Sequence, residues 1–133
     1  MPELAGLRAL VVEDEGSDAL LIEDMLEELG CEVAASVATL SKAINAARTG
    51  TFDFAVMDIN LDGDLVFPVA QILTERGVPF VFSTGYGRVG VPETFKECEV
   101  LNKPFELEEF EAKLLTMLRR ARVIQPRSAD DGL

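Results

Sequence analysis

Polar residues of distinct chemical types follow four short hydrophobic runs of this chain. They are Glu13 and Asp14 after LRALVV, Asp58 after FDFAVM, Ser83 and Thr84 after VPFVF, and Asn102, Lys103 and Pro104 after EVL. Short apolar runs that end in polar residues are typical of buried parallel strands. In an open α/β sheet, the carboxyl ends of such strands lie at one edge, and ligands bind there. We therefore expect three carboxylates, a hydroxyl and an ammonium group to meet in one crevice.

The three carboxylates of Glu13, Asp14 and Asp58 predict a site for a divalent cation. Like charges about 4 Å apart repel by several kcal/mol at a protein-like dielectric, unless a cation or a proton intervenes. Mg²⁺ prefers oxygen ligands, takes one or two carboxylates directly and keeps waters that phosphate oxygens can replace. A lone acid at a strand end is usually a solvated loop residue or a helix cap, and Asp14 by itself fits that description.

Lys103 and Thr84 would complement a phosphoryl group bound in this crevice. The Lys103 ammonium can hold Asp58 in place and pair with phosphoryl oxygens, and the Thr84 hydroxyl can donate a hydrogen bond to them. A carboxylate in these surroundings can attack phosphorus, because the metal and the ammonium stabilise charge in the transition state. The residues thus predict a Mg²⁺-dependent phosphoryl acceptor at Asp58.

Five strands that alternate with helices would position these residues. Strands are expected near residues 7–12, 31–37, 52–58, 78–84 and 98–101, and helices within residues 13–30, 38–50, 65–77 and 106–122. Pro68 requires that the third helix begin close to it. The segment 85–94 holds three Gly and one Pro, so we expect a loop with at most a short helix. This order implies an α/β fold with a doubly wound parallel sheet and right-handed crossovers.

Length and charge limit the class of protein. With 133 residues, 48% of them hydrophobic, the chain is long enough for one ordinary globular core. The predicted division is a domain over residues 1–124 and a polar, disordered tail over residues 125–133. The net charge of −12 argues against nucleic acid as a partner, since neutralising phosphates needs clustered Lys and Arg.

Other features of the composition predict a cytoplasmic protein that does not contact a membrane. No apolar stretch approaches the roughly 18–20 residues that span a bilayer, and the first residues lack the basic and small-residue regions of a signal peptide. Cys31 and Cys98 are far apart in sequence and form no Cys-x-x-Cys pair, so we expect two free thiols. The sequence has no His, which removes histidine-based metal sites and phosphohistidine from within it.

Four segments around the crevice also carry a family resemblance. VVEDE, MDIN, STGYG and NKPF resemble the signature segments of bacterial response-regulator receiver domains, and the similarity extends from about Leu7 to Arg122. The resemblance implies a flavodoxin-like five-stranded fold of the (βα)5 type. It also implies that Asp58 accepts a phosphoryl group from a phosphohistidine on a histidine kinase or phosphotransfer protein. The missing His fits this role, because the donor imidazole must come from another protein.

The same resemblance assigns roles to individual residues. Mg²⁺ would be bound by Asp14, Asp58 and the backbone carbonyl of Asn60, with Glu13 acting directly or through water. The phosphoryl group would be held by Thr84 and Lys103, and the bond between Lys103 and Pro104 would be cis. The lifetime of the acyl phosphate would be tuned at the positions two residues beyond Asp58 and Thr84, which are Asn60 and Tyr86.

One position departs from the family pattern. Receivers usually carry Tyr or Phe three residues before the Lys of NKPF, where it turns inward together with the Thr, but this chain has Val100. The segment from Pro79 to Tyr86 instead resembles an atypical receiver subgroup that has a Phe-Ala-Thr-Gly-Tyr-like segment and no switch aromatic. Tyr86 is the single Tyr of the sequence and is a hypothetical substitute for that aromatic.

Two surfaces are expected to contact other proteins. By family resemblance, the face around the first helix docks the kinase, and Leu21, Ile22 and Met25 are candidates for its rim. The alternative is that these three residues line the core. The output surface is expected on the segment after Thr84, the fifth strand and the last helix. We expect a stand-alone receiver that either relays a signal to an unknown protein target or drains phosphoryl groups from a shared kinase as a phosphate sink.

Three other functions are weaker interpretations. The segment from Gly85 to Gly90 formally matches the dinucleotide motif G-x-G-x-x-G, but it follows the fourth strand instead of the first. A small Mg²⁺-dependent phosphohydrolase with an aspartate nucleophile, as in the haloacid dehalogenase family, usually has a second Asp two residues later, where this chain has Asn60. A receiver-shaped interaction domain that is never phosphorylated is disfavoured by the complete set of acceptor and metal-site residues. The chain is therefore predicted not to be an enzyme.

Overall fold

Five parallel strands of mostly apolar residues form the main sheet. The computed structural model describes residues 3–125, which contain the strands β1 Arg8–Val12, β2 Glu32–Val37, β3 Phe54–Asp58, β4 Asn60–Leu61, β5 Asp64–Leu65, β6 Phe80–Thr84 and β7 Val100–Asn102. The main sheet has the order β2-β1-β3-β6-β7, and every neighbouring pair is parallel. Its central strands β1, β3 and β6 are buried along most of their length, as their continuous apolar runs predict. The predicted flavodoxin-like α/β fold is confirmed.

Helices cover both faces of this sheet. Their bounds are α1 Gly16–Glu28, α2 Leu40–Thr49, α3 Phe67–Glu75 and α4 Leu107–Arg120. Ile22 of α1 and Phe110 of α4 belong to the same buried cluster as Val56 of β3. Ala43 of α2 and Val69 of α3 belong to a second buried cluster on the opposite face. The sheet is therefore wound on both sides, and the carboxyl ends of its strands stay open at one edge.

The starts of two helices follow local sequence chemistry. α2 begins after Thr39, whose side chain accepts a hydrogen bond from Lys42 N at 3.3 Å. α3 begins at Phe67, so Pro68 lies in its first turn, where the missing N–H removes no helical hydrogen bond. The sequence-based expectation for Pro68 is thus confirmed.

A short hairpin between β3 and α3 is missing from the sequence-based prediction. β4 and β5 pair in the antiparallel direction, and the turn residues Asp62 and Gly63 have positive φ angles of 53° and 98°. Asp-Gly is a dipeptide that such turns favour, so a signal for the hairpin was present. Gly63 N donates a hydrogen bond of 2.6 Å to Asn60 Oδ1, which fixes the Asn60 side chain on the hairpin.

The Gly-rich segment after β6 is a loop, as predicted, followed by a 3-10 turn over Glu93–Phe95. Gly87 and Gly90 have φ angles of 61° and 86°, which glycine adopts without strain. The guanidinium group of Arg88 donates hydrogen bonds to two carbonyl oxygens of the segment before β7. Arg88 thereby holds the loop against the chain that leads into the edge strand.

Three remaining expectations concern thiols, membrane spans and the tail. Cys31 and Cys98 are free thiols, as predicted. Burial raises the pKa of Cys31 to about 11 and also raises the pKa of Cys98, so neither is a reactive thiolate at neutral pH. Across residues 3–125, no helix has the length and apolar character needed to cross a membrane. The predicted disorder of residues 125–133 falls outside the described residues, apart from residue 125.

Candidate functional site

Three carboxylates meet at the carboxyl ends of β1 and β3. Glu13 and Asp14 follow β1, and Asp58 is the last residue of β3, so the parallel order places them at one edge. One carboxylate oxygen of each residue lies within 4.8 Å of the other two. The Glu13 side chain is 0% exposed and that of Asp58 is 12% exposed, whereas Asp14 is exposed to solvent. A hard divalent cation suits this oxygen set, because it would offset the mutual repulsion of the three charges.

The ammonium group of Lys103 neutralises part of this charge. Lys103 Nζ lies 2.6 Å from Glu13 Oε1, 3.0 Å from Asp58 Oδ2 and 3.1 Å from Asp18 Oδ2. The peptide bond between Lys103 and Pro104 is cis, in the arrangement that the family resemblance implies. Asp18 is a site residue that the sequence prediction missed, because it follows no strand. Its position in the first turn of α1, shortly after Glu13, was the available signal.

Burial and hydrogen bonding change the proton affinities of two site residues. Burial raises the pKa of Glu13 to about 7, and the hydrogen bond from Lys103 opposes this effect only in part. Burial by itself lowers the pKa of Lys103, but hydrogen bonds to Glu13, Asp58 and Asp18 together outweigh burial and raise it. Lys103 therefore remains an ammonium group at neutral pH, while Glu13 gains or loses its proton near neutral pH.

Thr84 and the backbone after Asp58 complete the floor of the site. Thr84 ends β6 and is 5% exposed, and its Oγ1 accepts a hydrogen bond of 3.1 Å from Tyr86 N. The Thr84 hydroxyl can still donate a hydrogen bond to another oxygen. Asn60 N donates a hydrogen bond of 3.2 Å to Asp58 Oδ1. A groove of about 490 Å³ opens over these groups, and its lining includes Asp58, Asn60, Leu65, Thr84, Val89 and Lys103.

Val100 and Tyr86 occupy very different surroundings. Val100 of β7 is 6% exposed and belongs to a cluster with a group of phenylalanines. These are Phe67, Phe80, Phe82 and Phe95, whose contacting rings have centroids 5.2 to 6.1 Å apart. Tyr86 is 77% exposed on the loop after β6. Tyr86 therefore points outward in this structure, and its suggested part in a switch stays a prediction.

The three residues suggested for a docking rim on α1 do not share one environment. Leu21 is 48% exposed and Met25 is half-buried, but Ile22 is 2% exposed and belongs to the core. Ile22 therefore fits the core alternative, because its position on the helix turns it toward the sheet. Leu20, which is 60% exposed, lies beside Leu21 instead. A groove of about 280 Å³ is lined by Asp18, Leu21, Ile22, Lys103, Pro104 and Phe105.

Two of the alternative functions, dinucleotide binding and phosphate hydrolysis, need features that the described residues do not provide. The segment from Gly85 to Gly90 lies in a loop, and the next described element is the 3-10 turn, so no α-helix opens directly after it within residues 3–125. Asn60 occupies the position of a second acid, and its Oδ1 is bound to Gly63 N. An amide in this position cannot act as a general acid.

A family model and a curated relative match most of the chain. The family model described as response regulator receiver domain matches residues 9–115. The transcriptional regulatory protein TcrA of Mycobacterium tuberculosis is 32% identical over 134 residues, which cover 97% of this chain and 53% of that protein. The chain spans about half the length of the curated relatives TcrA and TctD that it matches.

Solved structures of receiver domains share the fold of this chain. SdrG from Sphingomonas melonis Fr1 is 36% identical with a TM-score of 0.77, and the match covers 85% of this chain and 97% of that chain. The receiver domain of the sensor histidine kinase PA1611 from Pseudomonas aeruginosa PAO1 is 26% identical with a TM-score of 0.69, covering 86% of this chain and 98% of that chain. The PA1611 structure has a magnesium ion coordinated in its active site cleft.

Proposed function

The chain belongs to the response regulator receiver family, and we propose that it acts as a phosphorylation switch whose phosphoryl acceptor is Asp58. The observation that carries the proposal is the contact of Lys103 Nζ with both Asp58 and Glu13, at 3.0 and 2.6 Å. An ammonium group in this position offsets charge on the acceptor before transfer and on the phosphoryl group after it. A solvated strand-end acid, the simplest alternative, would be mostly exposed, whereas the Asp58 side chain is 12% exposed.

The acidic cluster is suited to Mg²⁺. Glu13, Asp14 and Asp58 offer carboxylate oxygens within 4.8 Å of one another, and the backbone carbonyl of Asn60 would complete the ligand set. The bound ion would supply positive charge that stabilises the phosphoryl oxygens during transfer. The magnesium ion in the cleft of the PA1611 receiver domain supports this assignment.

The transfer itself would use the side chains of Asp58, Lys103 and Thr84. A carboxylate oxygen of Asp58 attacks the phosphorus of a partner's phosphohistidine, so that a P–O bond forms and a P–N bond breaks. The electron pair of the broken bond stays on the imidazole nitrogen, and a proton from solvent neutralises the departing imidazole. Lys103 shifts its hydrogen bond from Asp58 to a phosphoryl oxygen, and the Thr84 hydroxyl donates a hydrogen bond to another. The hydrogen bond from Tyr86 N keeps Thr84 in position for this contact.

The phosphodonor is a histidine kinase or a phosphotransfer protein, because this sequence contains no His. We place its docking face on α1, where exposed Leu21 lines the groove that reaches Lys103 and Leu20 is exposed on the same helix. Apolar residues at the centre of a contact, next to the reacting groups, are typical of protein interfaces. The donor imidazole would then enter over Asp58 from the adjacent open edge.

The output would be a protein contact on the opposite side of the site. Tyr86 and Val89, on the loop after β6, are 77% and 79% exposed, and both line the groove over Asp58. A protein target is favoured over nucleic acid, since the net charge is −12. The protein would either relay the signal to a target or act as a phosphate sink. The lifetime of the acyl phosphate distinguishes these roles, because it is short for a sink.

The switch unit lies within residues 1–124 and has a signalling role without substrate turnover. Its free, protonated thiols suit a reducing cytoplasm. Asn60, in place of a second acid, leaves the acyl phosphate without a general acid two residues away. The protein would therefore use one phosphodonor per cycle and would not turn over phosphate monoesters.

Labelling with a small phosphodonor tests this function. The protein is incubated with acetyl phosphate and Mg²⁺, and phosphoprotein is detected by intact mass spectrometry. We expect one phosphoryl group on wild type and none on Asp58→Ala, while Asp24→Ala, which removes an exposed acid of α1, should label normally. Labelling of Asp58→Ala, or steady turnover of p-nitrophenyl phosphate by wild type, would refute the proposal.

A further inference from the structure

The hydroxyl group of Ser83 is buried beside the acceptor site. Ser83 is 0% exposed, and within residues 3–125 its Oγ has no hydrogen-bond partner. Buried hydroxyl groups in proteins are nearly always hydrogen-bonded, because burying one alone is unfavourable. Alanine would fill the same position with one atom fewer and without that penalty. The hydroxyl therefore calls for a partner in another state of the protein, such as one with a ligand at the site.

Ser83 is a direct neighbour of Asp58 on the same face of the sheet. The two residues are register partners in the parallel pair of β3 and β6, and such strands lie about 4.8 Å apart. Side chains alternate between the faces along a strand, so Ser83 points to the face of Val81, and Asp58 to that of Val56. Val81 and Val56 belong to one core cluster. The main chains are joined as well, since Ile59 N donates a hydrogen bond of 3.2 Å to Ser83 O.

The side chain of Lys103 crosses the end of β6, the strand that contains Ser83. Lys103 follows the edge strand β7, yet its ammonium contacts Glu13 after β1 and Asp58 at the end of β3. Because β6 lies between β7 and β3, the aliphatic part of Lys103 has to cross the end of β6. Leu101, two residues earlier, belongs to the core cluster of the face to which Ser83 points. Ser83 is the register partner of Leu101, so it is buried at the margin of this core cluster, next to the strand end that Lys103 crosses.

We propose that Ser83 donates a hydrogen bond to the carboxyl group of Asp58 in the phosphorylated state; this inference rests on the proposed function. In the unphosphorylated state, Asp58 Oδ2 accepts a hydrogen bond of 3.0 Å from Lys103. When Lys103 turns to the phosphoryl oxygens, that donor is lost, and the Ser83 hydroxyl replaces it from the neighbouring register position. A carboxyl oxygen has two lone pairs, so this bond is compatible with a metal ion on the same group.

This hydrogen bond would accelerate the breakdown of the acyl phosphate. In hydrolysis, water attacks phosphorus, the P–O bond to Asp58 breaks, and its electron pair moves to the carboxylate. Inorganic phosphate leaves, and the proton of the water passes to solvent. Negative charge on the Asp58 carboxyl group grows along this path, so a donor to that group stabilises the transition state more than the acyl phosphate. Ser83 therefore shortens the phosphorylated lifetime.

The lifetime of the acyl phosphate in a Ser83→Ala variant tests the proposal. Wild type and variant are phosphorylated with acetyl phosphate and Mg²⁺, desalted into donor-free buffer and followed by intact mass spectrometry. We expect the lifetime to lengthen about three- to tenfold, because one hydrogen bond to a charged group is lost from the transition state. A lifetime that stays within about twofold of wild type would overturn the proposal.

Further measurements separate a hydrogen bond from a general structural effect. Ser83→Ala should unfold at the wild-type temperature or above it, because it removes an unpaired buried hydroxyl. Its Mg²⁺ affinity, measured by calorimetry, should equal that of wild type, and a parallel change in affinity would contradict the donor role. Ser83→Thr keeps the hydroxyl, so a folded Ser83→Thr protein with the long lifetime of Ser83→Ala would also contradict it.

The controls also distinguish this inference from the proposed function. If wild type takes up no phosphoryl group, the acceptor role of Asp58 and the role of Ser83 both fail. If wild type is labelled and Ser83→Ala decays at the wild-type rate, the role of Ser83 alone fails. Ser36→Ala serves as a control, because Ser36 is on β2, which β1 separates from the strand of Asp58, and its exposed hydroxyl donates a hydrogen bond to Glu23. The acyl phosphate of this variant should have the wild-type lifetime.

Discussion

The buried carboxyl group of Glu13 makes the site sensitive to pH at the scale of a single residue. Burial raises its pKa from about 4.5 to about 7, and the hydrogen bond from Lys103 opposes that change only in part. The folded protein therefore holds a proton in this interval that the unfolded protein releases. The contribution of Glu13 to stability is fully present below about pH 4.5 and is lost as the pH rises through about 7.

Replacing Glu13 with Gln should remove this pH dependence. In the absence of metal, we expect wild type to lose roughly 2–3 kcal/mol of unfolding free energy relative to Glu13→Gln between pH 4.5 and 7.5. Urea unfolding in the presence of a chelator measures the difference. Glu28→Gln, which changes an exposed acid of α1, should follow wild type. Parallel pH profiles of wild type and Glu13→Gln would contradict the assignment of a raised pKa to Glu13.

Several site residues were predictable because they follow buried strands. The parallel order of the strands brings Asp14, Asp58 and Lys103 to one edge, where their side chains form one cluster. Asp18 was not predictable in this way, because its contact with Lys103 depends on how α1 leaves β1. The missing hydrogen-bond partner of Ser83 Oγ was also hidden from the sequence, since it depends on the packing of several elements around the end of β6.

At the scale of elements, α1 has one face in the core and another exposed to solvent, where we propose that the phosphodonor docks. Ile22 is 2% exposed and belongs to the cluster between α1, α4 and the sheet, whereas Leu21 is 48% exposed. These neighbouring residues have similar volumes but opposite surroundings. They therefore provide a matched pair that separates folding from docking.

Alanine substitutions at these two positions should have different effects. Ile22→Ala should lower the unfolding free energy by about 2–5 kcal/mol, because it leaves a cavity in the core. Leu21→Ala should change stability by less than about 0.5 kcal/mol. Leu21→Ala should nevertheless slow phosphoryl transfer from a cognate phosphohistidine protein while leaving labelling by acetyl phosphate unchanged. Equal rates from both donors would show that Leu21 does not contribute to docking.

The elements that sequence patterns identified are those with long apolar periodicity. The strands of the main sheet and the α-helices have such patterns, and their order was predicted. The hairpin of β4 and β5 has only two residues in each strand, so no periodicity could reveal it. The sequence did not show that Leu21 is exposed while Ile22 is buried, because both fit the apolar stripe of a helix. Only the packing of α1 on the sheet distinguishes them.

At the scale of the whole molecule, repulsion between negative charges destabilises the folded state, because the net charge is −12. The acidic cluster is a place where such charges lie close together. A cation that binds Glu13, Asp14 and Asp58 relieves part of this repulsion only in the folded protein, because only folding brings the three residues together. Binding to the folded state alone raises its stability by mass action.

Mg²⁺ should therefore stabilise the protein beyond the general effect of salt. We expect an increase in unfolding free energy of about 2.7 kcal/mol when free Mg²⁺ reaches about one hundred times its dissociation constant. Denaturant unfolding in MgCl₂ is compared with unfolding in NaCl of equal ionic strength. Asp14→Asn should lose most of the difference and keep the response to NaCl. An equal response of wild type to the two salts would contradict a specific metal site.

The fold as a whole was predictable because alternating strands and helices leave few arrangements of a parallel sheet. The family resemblance then implied a flavodoxin-like sheet of five parallel strands, which the structure has. The surroundings of Val100 were not predictable, since its core cluster includes four phenylalanines from three different parts of the chain. Long-range packing of this kind appears only once the elements are assembled.

The most direct test of a phosphorylation switch is to locate the phosphoryl group on the chain. Borohydride reduction converts an aspartyl phosphate into homoserine, which peptide mass spectrometry can assign to one position. After treatment with acetyl phosphate and Mg²⁺, we expect homoserine at residue 58 and at no other acid. The Lys103→Ala variant should give much less homoserine at this position. The account would be contradicted if the reduced product appeared at Asp14 or Glu13 instead of residue 58, or if no reduced product formed.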